Sequence, residues 1–187
     1  MRRKASGTEH RMAQHGTTLT ELLLAVALMA LLTAMALPSF SGLVQKDRLT
    51  QTSERLYRDL THARAQAIQR GQPVALVAHP AGWDHGWTVF VDTNHNRQRE
   101  TGESLLRDAP ALPPGFALST NAGIGRAIGY RGDGRSERPN GGLQMGTWLL
   151  CDGGGTATPG HAVTLVVSAT GRARISPSSD HLDGSPC

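Results

Sequence analysis

The chain has 187 residues, of which 39% are apolar, 18% charged and 4% aromatic, and its formal charge at neutral pH is +4. That length leaves room for one globular domain whose core must be built from Leu, Val, Ile and Ala. Four of the 19 basic residues and one of the 15 acidic ones lie in positions 1–16, so the rest is nearly balanced. This excludes any argument for a nucleic-acid partner from bulk charge and leaves only local clustering.

The first predicted element is the stretch from Gly16 to Leu37. After the basic leader ending at Gly16 come 21 residues with a single charge, Glu21. As a helix such a run spans about 30 Å, the thickness of a bilayer's hydrocarbon core. The basic leader places the N-terminus in the cytoplasm and the rest beyond the membrane. A secretory signal would have a shorter apolar core followed by a small-x-small cut site. A simple anchor has no use for a carboxylate in its first turn, where it is costly in lipid unless paired.

The segment Gly16-Thr17-Thr18-Leu19-Thr20-Glu21, with the apolar run through Leu37 and then Pro38, resembles the class III signal of type IV pilins and type II secretion pseudopilins. The resemblance implies cleavage by a prepilin peptidase between Gly16 and Thr17 and methylation of the new N-terminus. It also implies that Glu21 pairs with a neighbouring subunit's N-terminal amine during assembly. The family's usual first mature residue is Phe; here it is Thr17.

Beyond Pro38 the helix is expected to continue, kinked near Pro38 and Gly42. Leu49, Ser53, Leu56, Leu60, Ala63 and Ala67 recur at gaps of four and three, a buried stripe at helical period. Arg48, Glu54, Arg55, Arg58 and Asp59 fall mostly off it and are expected to be solvated. Gly71-Gln72-Pro73 ends the helix. The expected organisation is a leader over 1–16, a transmembrane and assembly half-helix over 17–37, an amphipathic half over 38–71, and a periplasmic β-rich domain over 72–187.

Everything after Gly71 reads as strands and turns. Val74–Ala78 and Trp87–Val91 are separated by the turn signal His79-Pro80-Ala81-Gly82. Ser104–Arg107, Phe116–Ser119, Ala127–Tyr130, Thr147–Cys151 and Ala162–Ser168 follow, and Arg172–Ile175 is expected to pair back on Ala162–Ser168. The expected architecture is α+β: a long N-terminal helix packed on an antiparallel β-sheet domain. Ala63-Arg64-Ala65-Gln66-Ala67, Gly86-Trp87-Thr88-Val89-Phe90-Val91-Asp92, Gly102-Glu103-Ser104-Leu105-Leu106, Thr147-Trp148-Leu149-Leu150-Cys151 and Gly171-Arg172-Ala173-Arg174-Ile175 resemble the GspH/FimT family. The resemblance, to a FimT-like minor pilin or pseudopilin with a pilin-like fold, covers most of the chain after Gly16.

The two cysteines are Cys151 and Cys187. Outside the cytoplasm a bridge between them is expected, closing a loop of about 37 residues and stabilising by roughly 4 kcal/mol. Free thiols are the alternative; a metal site is disfavoured because no CxxC occurs.

Arg172 and Arg174, two apart in a strand, face one side about 7 Å from each other, with Ala173 and Ile175 on the other side. Two guanidinium groups so placed can bridge successive phosphates. In FimT-like pilins, a Gly-Arg-x-Arg element such as Gly171–Arg174 resembles a DNA-contacting motif of natural transformation; outward Arg on a hairpin is the plainer reading. Arg126, Arg131, Arg135 and Arg138, in the Gly-rich stretch Gly123–Gly142, could widen the basic surface, although Asp133 and Glu137 dilute it. With only Tyr130 nearby for stacking, the expected mode is backbone-directed and salt-sensitive.

Asp92-Thr93-Asn94-His95-Asn96 with Glu100 and Glu103 is oxygen-rich like a calcium loop. But Arg97 stands at the sixth place, where an EF-hand needs Gly, and strands rather than helices are expected to flank it; a turn explains the composition without a metal. The histidines show no HxxxH or HExxH spacing, and no GxSxG surrounds Ser168 or Ser176. No catalytic residue, metal or cofactor is expected, and a membrane-anchored periplasmic enzyme is the least favoured class. The expected protein is a minor type IV pilin of the tip complex, held in the inner membrane until assembled into the extracellular pilus. Its expected partners are major and minor pilins, the peptidase, the inner-membrane assembly platform and DNA. The alternative is a GspH-like minor pseudopilin of type II secretion.

Overall fold

The structure is a computed structural model that describes residues 18–153, 157 and 160–176, without the side chains of residues 34–41. One helix, α1 (Leu19–Arg70), runs for 52 residues. Thr18 caps it: its carbonyl accepts from the Glu21 and Leu22 N–H groups at 3.0 and 3.1 Å, and its hydroxyl lies 3.4 Å from Glu21 N. The helix is continuous through Pro38 and Gly42, and the chain divides into two compact units between Gly42 and Leu43.

In the first unit the described apolar side chains are exposed, from Leu19 and Leu22 through Met29 to Leu32. Among the described residues no helix is long and apolar enough to cross a membrane. The expected span runs on through 34–37, whose side chains are not described.

In the second unit the helical stripe is buried as its spacing requires: Leu49, Ser53, Leu56, Leu60, Ala63 and Ala67 all lie inside. Gly71 stops the helix at φ +60°, a left-handed position that costs a glycine little, and Pro73 follows. Asp59 corrects the expectation of a solvated helix face. It is 1% exposed, accepts from Trp87 Nε1 at 2.9 Å and pairs with Arg107 Nε at 2.9 Å. Arg55, half-buried, lies over the Trp87 ring at 5.1 Å. Both groups lean onto a tryptophan that the chain delivers only after the helix has ended.

Among the described residues nine strands follow: β1 (Val74–His79), β2 (Gly82–Val91), β3 (Leu105–Ala109), β4 (Ala117–Thr120), β5 (Ala127–Tyr130), β6 (Ser136–Glu137), β7 (Gly146–Cys151), β8 (Ala162–Val167) and β9 (Ala173–Ser176). The expected single sheet is two sheets, ordered β3-β2-β1-β5-β6 and β4-β7-β8-β9, with every named pairing antiparallel. The β1–β2 hairpin pairs Val74 with Val91 and turns where His79-Pro80-Ala81-Gly82 predicts; β2 begins at Gly82 rather than Trp87. One apolar cluster joins the α1 stripe to residues of both sheets, including Trp87, Ile128, Tyr130, Trp148 and Leu165. Trp83 meets Trp148 edge-on at 5.6 Å and donates to Gly125 O at 2.8 Å.

Tyr130 is 1% exposed, and its hydroxyl has no hydrogen-bond partner among the described residues. Burial pushes its phenol above the ordinary value, with the charge of Arg64 acting the other way. The folded state therefore keeps this proton where the unfolded chain gives it up. The stability it confers is complete below about pH 10 and is lost as pH rises from there. Tyr130→Phe should be neutral to about 1 kcal/mol stabilising, because it removes an unpaired buried hydroxyl. It should also flatten the alkaline fall in melting temperature, measured by thermal unfolding between pH 8 and 11.

Candidate functional site

The β8–β9 hairpin turns through Ser168–Arg172. Ser168 N donates to Arg172 O at 3.1 Å and Gly171 N to Ser168 O at 2.9 Å. Gly171 sits at φ +77°, and a Cβ there would lie 2.1 Å from the Gly134 carbonyl. Glycine is needed twice over, for its backbone and for the close approach. Beyond it the exposure alternates: Arg172 and Arg174 are exposed, while Ala173 and Ile175 are half-buried against the core. Arg174 is in register with Val166 of β8, and β9 is the outer strand of its sheet among the described residues. Val166, Ser168, Arg172, Ala173 and Arg174 line a groove of about 350 Å³.

The turn carrying Arg131 and Arg135 lies beside this hairpin. Arg64, near the end of α1, donates from Nε to Gly134 O at 2.8 Å and from Nη2 to Thr170 O at 3.4 Å. Ser136 Oγ donates to Ser168 O at 2.9 Å. Arg131 pairs with Glu137 at 3.2 Å and Asp133 at 3.8 Å, and Arg135 lies 3.9 Å from Asp133, so acids offset both. Arg126 is held elsewhere: its Nη2 donates to the carbonyls of His79 and Pro80, at 2.8 and 2.7 Å, in the β1–β2 turn. The structure thus brings the turn of Arg131 and Arg135 to the Arg172–Arg174 hairpin, and ties Arg126 to a different turn. Arg64 had no sequence signal beyond its place in Ala63–Ala67; its two bonds span 70 and 106 positions.

The oxygen-rich loop after β2 spends its acceptors on its own donors. Glu100 accepts from Asn94 Nδ2 at 3.1 Å and Asn96 Nδ2 at 2.8 Å; Glu103 accepts from the N–H groups of Thr93 and Glu100, each at 3.0 Å. Arg97 turns through φ +60° at the position where a calcium loop has glycine. Its guanidinium pairs with the buried Asp92 carboxylate and donates to Glu137 O at 2.6 Å. Gly129 makes room, since a Cβ there would strike Arg97 Nη2 at 1.9 Å. Among the described residues no group of three or more His, Cys, Asp or Glu side chains is placed to hold a metal ion.

At the other end of the chain, Gly16 and Thr17 lie outside the described residues. Glu21 is exposed in the first turn of α1, three positions after its cap. Cys151 is 1% exposed at the end of β7, packed with Ala157 and Ala162. Cys187 lies outside the described residues.

A model of the family described as type II transport protein GspH matches residues 52–171. The chain belongs to the GspH family. That membership goes with a minor pilin or pseudopilin. The pilin-like protein PilA1 of Thermus thermophilus is 37% identical over 94 residues, 50% of this chain and 58% of PilA1. The GspH-family chain therefore spans little more than half the length of that relative. Among solved structures, the type IV minor pilin FimU of Pseudomonas aeruginosa PAO1 is 17% identical, with a TM-score of 0.56 over 72% of this chain and 92% of FimU. The minor pseudopilin EpsH of the Vibrio cholerae type 2 secretion system is 14% identical, with a TM-score of 0.52 over 69% of this chain and 96% of EpsH. At those identities the likeness concerns the fold: a pilin-like α+β arrangement, as expected. The relatives are pilins and pseudopilins rather than enzymes.

Proposed function

We propose that the chain is a minor type IV pilin that binds DNA through the β8–β9 edge for uptake in natural transformation. Prepilin peptidase cuts between Gly16 and Thr17, the new N-terminus is methylated, and residues 17–37 hold the protein in the inner membrane with its domain in the periplasm. The assembly platform then inserts it, beside major and minor pilins, into the tip of the pilus. A bridge from Cys151 to Cys187 pins the C-terminus near the end of β7.

The observation that supports DNA contact is the alternation at the start of β9: two exposed arginines, Arg172 at the end of the turn and Arg174 in the outer strand, flank the half-buried Ala173, with Ile175 half-buried beyond. Phosphate contacts of this kind carry no sequence information and release counterions. The test is duplex binding by the full chain in zwitterionic detergent, followed by fluorescence anisotropy from 50 to 200 mM salt. Affinity should fall steeply with salt. Arg172→Ala/Arg174→Ala should weaken binding and shallow the log–log slope by about 1.8, as expected for two lost phosphate contacts. Unchanged binding in the double variant moves the site elsewhere; a wild-type chain that does not bind leaves a purely structural pilin.

The second reading is a minor pseudopilin of type II secretion, the system that the family model's description names. Deletion separates the two: loss of twitching and DNA uptake marks the pilus, and loss of exoprotein secretion marks the secretion system.

A further inference from the structure

Away from the β8–β9 edge, α1 and Pro113 enclose a groove of about 500 Å³ lined by Arg48, Gln51, Thr52, Glu54, Arg55 and Arg58. Its charges do not balance. Glu54 is taken by Arg58 at 3.3 Å. Asp59, one turn along from Arg55, has one oxygen on Trp87 Nε1 and the other on Arg107 Nε. Among the described residues Arg48 and Arg55 form no ion pair. Arg55 is fixed in place by the Trp87 ring beneath it, yet its Nε and Nη2 are closed off from solvent without a hydrogen-bond partner among the described residues. Burial lowers the pKa of this guanidinium from its ordinary value, and the charge of Asp59 only partly offsets that. A half-buried guanidinium with two nitrogens closed off and no counter-ion is costly, and an anion beside it offsets that cost.

We infer that this groove is a carboxylate-binding site that receives an Asp or Glu side chain from a neighbouring pilin subunit. Charge complementarity sets the ligand: the lining is one carboxylate short around Arg55, and Nη1, the guanidinium nitrogen that is not closed off, can donate a charge-assisted bond to a carboxylate. The size of the groove sets the source. A cleft of about 500 Å³ between a helix and a proline admits one or two side chains, whereas a nucleic-acid duplex is far too wide to enter it. The family supplies the occasion, since pilins pack against other pilins. The inference does not depend on DNA binding at β9.

The test uses the full chain in zwitterionic micelles, following the Arg55 Nε–H and Trp87 Nε1–H signals by NMR. The probes are N-acetylglutamate as its α-N-methylamide, whose only carboxylate is the side chain's, its neutral isostere N-acetylglutamine as the same α-N-methylamide, and inorganic phosphate. The glutamate probe should shift both signals in the millimolar range, and the other two should leave them in place. Arg55→Met should abolish the Trp87 response while leaving the melting temperature unchanged or higher, because it removes a buried charge that lacks its partner. In cells the same variant should lower the amount recovered in sheared pili by roughly tenfold, the worth of one charge-assisted contact. Opposite signs for stability and incorporation distinguish a docking residue from a structural one. The inference is overturned if the glutamate probe has no effect, if phosphate acts equally well, or if Arg55→Met incorporates normally.

Discussion

Arg97→Ala should destabilise the folded domain by about 3–5 kcal/mol, the usual cost of removing one partner from a buried ion pair. Arg97 is 8% exposed and Asp92 is 0% exposed, so water cannot replace the lost guanidinium. The same side chain donates to Glu137 O at 2.6 Å, and its own N–H lies 3.3 Å from Asp92 Oδ1. Deleting it therefore strands a carboxylate and a carbonyl together and loosens the loop between β2 and β3. Arg97→Gly should recover part of the loss, because φ +60° suits glycine, while leaving Asp92 unpaired. Asp92→Asn in the Arg97→Ala background should recover more, since it removes the stranded charge. Urea unfolding of the three variants checks the order. If Arg97→Ala lies within about 1 kcal/mol of wild type, the pair is not what holds the loop.

Glu21→Gln should block incorporation into pili as completely as Glu21→Val. The two variants separate two jobs that one residue can hold. Glu21 stands three positions after Thr18, whose hydroxyl lies 3.4 Å from Glu21 N, the spacing of a capping box. Gln serves that box about as well as Glu, so Glu21→Gln should preserve the start of the helix. It cannot neutralise a neighbouring subunit's amine. If assembly depends on that pairing, an amine left alone in apolar surroundings costs several kcal/mol, more than a hundredfold in occupancy. Immunoblots of sheared pili measure this directly. Wild-type recovery of Glu21→Gln would show that capping, not charge, is what the position supplies.

Much of the fold was legible because period and punctuation are local. The spacing of Leu49, Leu56, Leu60, Ala63 and Ala67 marked the buried face, and Gly71 with Pro73 marked its end. The β8–β9 pairing and the outward Arg172 and Arg174 followed from a short turn and a period of two. Division into two sheets was not legible: alternation says which face a residue takes, not which strand lies beside it, and β1 pairs with β5 across some fifty positions. Two-residue β6 was too short to signal. Asp59 was misplaced because a charge at the margin of an apolar stripe reads as solvated until its partners are known. Those partners, Trp87 and Arg107, come from β2 and β3. The Thr18-x-x-Glu21 cap could have been read from spacing alone; its Glu drew notice only for its charge.

The Arg64 bracket has a mechanical consequence. Tension on the Ser168–Arg172 turn passes into its strands, and it also passes straight to the helix through Thr170 O and the Arg64 guanidinium. The same side chain is anchored to Gly134 O, so the neighbouring turn shares the strain. A tether fastened at that corner would pull on the helix shaft itself rather than peel the outermost strand from its sheet.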